Sequence, residues 1–107
     1  MPKKPKQEVL ALPSITAIAT RMIDTHMLRG VARDWPGGTP DLYLERIRFG
    51  DEAEPYEVVR HVKIAYSGNR IEAMRFDEDG LHFTSGERKW FVRASSDVFA
   101  EKAIRDE

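Results

Sequence analysis

The sequence predicts an α+β fold: an N-terminal helix packed on an antiparallel meander of about five strands, followed by a short C-terminal helix. Three observations carry that prediction. From Tyr56 to Arg93, runs of alternating apolar and polar residues are separated by Ser67-Gly68-Asn69, Asp77-Glu78-Asp79-Gly80 and Ser85-Gly86, residues that turn one strand back on the next. Ahead of them, Ile15, Ile18, Ala19, Met22, Ile23 and His26 fall within one apolar arc on a wheel of 100° per residue. Behind them, Ser95-Ser96-Asp97 can cap a short helix carrying Val98, Phe99, Ala103 and Ile104.

Taken in chain order, residues 1–7 read as a disordered basic tail: Lys3, Lys4 and Lys6 come with no acid among them, and Pro2 and Pro5 oppose a helix. Residues 8–107 read as one domain, since 107 residues support a single modest core. The first twenty residues imitate a secretory signal, but Glu8, Pro13, Ser14 and Thr16 break up the apolar run. The uncharged stretch from Val9 to Thr20 is also too short to span a bilayer. The first helix starts after Ser14, its N-cap, and ends either at Gly30 or just before Trp35-Pro36. Trp35 to Pro40 is a loop. Asp41 to Phe49 is a strand with Leu42 and Leu44 on one side and Tyr43, Ile47 and Phe49 on the other, and Gly50 to Pro55 is an acidic connection.

Turn length sets the expected register of the meander. A Gly68-Asn69 turn places Tyr66 opposite Ile71 and His61 opposite Phe76; a four-residue turn at Asp77 to Gly80 places Phe76 opposite Leu81; a Ser85-Gly86 turn places Leu81 opposite Trp90. The expected core face, covered by the first helix, is Met74, Phe76, Leu81, Phe83, Trp90 and Val92. The reverse face carries Val62, Ile64, Tyr66 and Ile71 at one end and Arg75, His82, Lys89, Phe91 and Arg93 at the other.

The composition narrows the chemistry. There is no cysteine, hence no disulfide, thiolate metal site or cysteine nucleophile, a composition suited to a reducing cytoplasm, where we expect the protein to act. Charged residues are 33% of the chain, yet the net charge is only −1, which points to a mixed surface rather than a strongly basic coat. His26, His61 and His82 lack the spacing of a ligand set, so no metal site is expected; His26 lies on the helix arc and His61 in the core row. Asp77 to Gly80 resembles part of a calcium loop but lacks the distal glutamate, and reads as a turn. No nucleophile elbow, phosphate-cradling loop or paired carboxylates occur, so neither catalysis nor a cofactor is expected.

Two non-catalytic readings remain. The first is a small binding or regulatory module that docks on a protein partner or on a second copy, using Met22, Met27, Trp35, Tyr56, Val58, Val62, Ile64 and Tyr66, because methionines and aromatics anchor such interfaces. An apolar edge strand also favours pairing with another copy. The alternative is nucleic-acid binding by Arg75, His82, Lys89, Phe91 and Arg93 with the tail lysines Lys3, Lys4 and Lys6, since cations interleaved with an aromatic suit a single strand. Small, cysteine-free, mixed-charge chains of this kind are frequent among bacterial, phage and plasmid accessory proteins, a compositional likeness that transfers no residue roles.

Overall fold

The computed structural model describes residues 12–53, 55–95 and 98–106. It is all-β among those residues, which overturns the α+β expectation. Eight strands run in order: β1 (Ser14–Ile23), β2 (His26–Asp34), β3 (Asp41–Phe49), β4 (Tyr56–Lys63), β5 (Ile71–Phe76), β6 (Gly80–Ser85), β7 (Arg88–Arg93) and β8 (Ile104–Arg105). They form two four-stranded antiparallel sheets, β1-β2-β3-β4 and β5-β6-β7-β8. The basic tail, residues 1–7 with Lys3, Lys4 and Lys6, lies outside the described residues.

The segment expected as the first helix is the β1–β2 hairpin. Ile23 pairs with His26 across a two-residue turn at Asp24-Thr25, and Asp24 takes φ 54°, a left-handed value that aspartate tolerates better than most residues. Half of Ser14–Thr25 is β-branched, namely Ile15, Thr16, Ile18, Thr20, Ile23 and Thr25, and such side chains prefer a pleated surface. The supposed helical arc is split in two. Ala19 and Ile23 pack on the core, whereas Ile15, Ile18 and Met22 are exposed. Gly30 caps no helix; it sits within β2, buried against Leu81.

Each sheet contributes one face to the core. From the first come Leu28, Ala32, Leu42 and Leu44, with Ala32 paired to Leu42 and Gly30 to Leu44. From the second come Leu81, Phe83 and Val92, with Met74, Phe76 and Trp90 packed on them, the six residues expected on the core face. They are covered by a sheet, not by a helix. β1 lies alongside β5, where Arg21 Nη1 donates to the Asp77 carbonyl at 3.3 Å. At the other margin Ala65 N–H donates to Glu101 O and Ala103 N–H to Ala65 O, each at 2.9 Å, tying the end of β4 to the C-terminal segment.

Among the described residues the C-terminal helix is likewise absent. Ser95 Oγ does accept from Val98 N–H at 3.3 Å, as a cap would, but the chain then stays extended, with Phe99 bridged to Ala94, Lys102 bridged in parallel to Ala65, and β8 after it. Ser96 and Asp97 lie outside the described residues.

Register divides by turn. Phe76 pairs with Leu81 as expected, because Asp77 N–H donates to Gly80 O at 2.9 Å and Asp77 Oδ1 accepts from Asp79 N–H and Gly80 N–H at 2.8 and 3.1 Å. The next turn is Gly86-Glu87, not Ser85-Gly86, so Leu81 faces Val92 and Phe83 faces Trp90. Both Gly86 and Glu87 have positive φ, 61° and 67°, as a type I′ hairpin requires. The shift is two residues, so the faces are kept. The Gly68-Asn69 hairpin does not form. Residues 64–70 cross from one sheet to the other, so His61 does not meet Phe76 and Tyr66 does not meet Ile71. Ile64 and Ile71, expected on the reverse face, are buried in the core.

Candidate functional site

Antiparallel pairing sets side chains in rows across the strands, alternating between core and solvent. On the outer face of the first sheet the pairing gives five such rows: Phe49–Tyr56; Met22–Met27–Ile47–Val58; Thr20–Arg29–Glu45–His61; Ile18–Val31–Tyr43–Lys63; and Ile15–Arg33–Asp41. Of the ten exposed large apolar side chains among the described residues, Ile15, Ile18, Met22, Phe49, Tyr56 and Val58 lie on this one face. Scattered apolar groups are ordinary on a protein surface, whereas a contiguous set marks an interaction site.

The charges between the apolar rows are internally paired. Glu45 Oε1 accepts from Arg29 Nε at 2.9 Å and Nη2 at 2.7 Å, while its Oε2 lies 2.8 Å from His61 Nδ1. His61, expected in the core, is exposed, and its ring is 4.4 Å from that of Tyr43. Asp41 accepts Arg33 Nε and Nη2 and Trp35 Nε1, all at 3.0 Å. The Arg33 guanidinium lies 4.5 Å from the Tyr43 ring centre and 5.0 Å from that of Trp35, and its bonds to Asp41 hold its pKa above the usual arginine value. A shallow cleft lined by Pro13, Ile15, Arg33, Tyr43 and His61 opens here. Asp41→Ala leaves Arg33 and Trp35 without their buried acceptor, so urea denaturation is expected to show a loss of about 2–3 kcal/mol.

The expected interface residues divide between surface and core. Met22, Tyr56 and Val58 are exposed on this face and Met27 is half-buried there; Trp35 stands beside it, bonded to Asp41. Val62 packs on the core and Ile64 is buried. Tyr66 meets Phe83 edge-on at 5.5 Å and donates to Asn69 O at 2.8 Å; burial, then the charges of Asp41 and Asp34, push its pKa up to about 12. Ile15, Ile18, Phe49 and the Arg29–Glu45–His61 row were not foreseen. A signal for the row exists in the sequence, since Arg29 and Arg33 mirror Glu45 and Asp41 about Gly37.

The other expected site also assembles. Arg75, His82, Lys89, Phe91 and Arg93 share the outer face of the second sheet, with His82 and Phe91 ring centres 4.9 Å apart. Acids are interleaved with them. His82 Nε2 lies 2.6 Å from Asp77 Oδ2 and Nδ1 2.9 Å from Asp106 Oδ2, and Arg75 Nη1 is 3.9 Å from Asp77. The Asp79 N–H first, then His82 and the Gly80 N–H, hold the Asp77 carboxyl below the usual aspartate range. Among the described residues no group of three histidines, cysteines or acids is placed to hold a metal, and no helix is long and apolar enough to cross a membrane. No protein-family model, curated protein or solved structure matches the chain.

Proposed function

We propose that this protein is a non-catalytic docking module that acts in the cytoplasm through protein contacts, with the outer face of the first sheet as its binding surface. The observation that carries the reading is the gathering on that face of six of the ten exposed large apolar side chains among the described residues. A partner that covers them gains about 25 cal/mol for each Å² of apolar surface removed from water. Arg29 and Arg33 there already have counter-charges within the chain, so the surface favours a partner of mixed, largely apolar character over a polyanion. The alternative, nucleic-acid binding on the second sheet, is supported by the convergence of Arg75, His82, Lys89, Phe91 and Arg93. It is opposed by Asp77 and Asp106, which engage both nitrogens of His82.

A photo-crosslinking residue placed at Ile18, and separately at Thr84 on the outer face of the second sheet, tests the proposal in producing cells. Discrete protein adducts are expected from Ile18 and not from Thr84, and Met22→Lys is expected to abolish them. Adducts only from Thr84, or adducts containing nucleic acid, would sink it.

A further inference from the structure

We infer that the occupant of this face is the same face of a second copy, related by a two-fold axis running along the strands between β2 and β3. The inference rests on the docking reading and adds the partner. Such an axis keeps each row in place but exchanges β2 with β3 and β1 with β4. Arg29 of one copy then lies over Glu45 of the partner subunit, and Arg33 over Asp41 of the partner subunit. Val31 meets Tyr43 of the partner subunit and Met22 meets Val58 of the partner subunit, while Ile47, buried beneath its own row, stays out of the contact. The rows permit this because each charged row sets a cation on β2 beside an anion on β3. The other in-plane axis, along the rows, would stack Arg29 on its own copy and Glu45 on its own copy, which like-charge repulsion disfavours.

The size is adequate. Four strands about 4.8 Å apart, carrying residues at about 3.3 Å each, give β2 and β3 with their nine residues a sheet of roughly 19 by 30 Å. With side-chain relief that approaches the roughly 800 Å² per partner of a standard interface. Strands related by the axis keep one direction, as in aligned sheet-on-sheet packing. Association by the sheet edge is the weaker route: of the two edge strands, β1 lies alongside β5, and on β4 Val59 is left over as a bulge where Arg46 pairs with Arg60 and Ile47 with Val58, and bulged edges carrying charge resist strand addition.

The absence of cysteine makes a clean test available. Sedimentation of the purified chain is expected to give twice its 12.3 kDa mass in the micromolar range, and Met22→Lys is expected to weaken association about tenfold or more with an unchanged far-ultraviolet spectrum. Mixing Met22→Cys with Val58→Cys under diamide is expected to yield the mixed disulfide about tenfold faster than either variant yields its own. A chain sedimenting as a monomer throughout overturns the inference. So does an association indifferent to Met22→Lys, or a Met22→Cys homodisulfide that forms as fast as the mixed one. A monomer that still crosslinks to a different protein from Ile18 overturns the self-pairing alone and leaves the docking reading in place; a monomer with no Ile18 adduct removes both.

Discussion

Gly80→Ala is expected to cost the fold at least about 3 kcal/mol, a large share of the stability of a domain this size. Gly80 opens β6 at φ 157°, and a Cβ there would lie 2.2 Å from Val92 O, 2.8 Å from Ala94 N and 3.0 Å from Arg93 Cα. All three neighbours are backbone, and they belong to β7 and the bridge that follows it. None can swing aside as a side-chain terminus could. Relief requires moving β7 away from β6, which breaks the pairing of Gly80 with Arg93 and of Leu81 with Val92 and opens the core at residues that are fully buried. Gly68→Ala is the control. It too has positive φ, 91°, but nothing lies within 4 Å of the added carbon, so only the backbone conformation is penalised, by about 1 kcal/mol. Urea midpoints of the two variants check the difference. Equal losses would mean that β6 and β7 do not approach each other here as closely as the structure has them.

That contrast also shows where the fold can be read in advance. Around Gly80 the turn chemistry is local: Asp77 binds the N–H groups of Asp79 and Gly80 through its own side chain, so the residues that make the turn also announce it. The core face from Met74 to Val92 was therefore readable, and the later two-residue shift at Glu87 left it intact, because a strand repeats every second residue. The β1–β2 hairpin was not readable in the same way. Its turn, Asp24-Thr25, contains neither glycine nor proline, and Ile15, Ile18, Met22 and Ile23 satisfy a helical period, whereas the strand period of two is hidden by the bulge between Ile15 and Ala17 and by apolar residues on both faces. The β-branched content of the segment was the deciding signal. Ser67-Gly68-Asn69 misled in the opposite direction: its residues suit a hairpin, yet the chain there passes between sheets. Turn residues report that a chain bends, and only the fate of the flanking apolar residues, here the burial of Ile64 and Ile71, reports where it goes. The sequence sets Met22 on a helix and Tyr56 on a strand, and the face that unites them exists only once β1 and β2 are strands.

A double-mutant cycle at Gly30 and Leu81 tests the enclosure of the core by two sheets. These residues belong to different sheets and are far apart in sequence. In the structure a Cβ on Gly30 would sit 2.9 Å from Leu81 Cδ2 and 3.4 Å from Cδ1. Leu81 is fully buried, so Leu81→Ala alone is expected to cost about 3–4 kcal/mol, the lost transfer energy together with the cavity left behind. Gly30→Ala alone overpacks the same spot and is expected to cost about 1–3 kcal/mol. In the double variant the new methyl enters the space that the leucine vacated, and the combined loss is expected to fall short of the sum by about 1 kcal/mol or more, the coupling found for residues in direct contact. Denaturant titration of the four proteins measures it. Additive losses would mean that Gly30 and Leu81 do not meet, and would remove the sandwich together with the outer face that it defines.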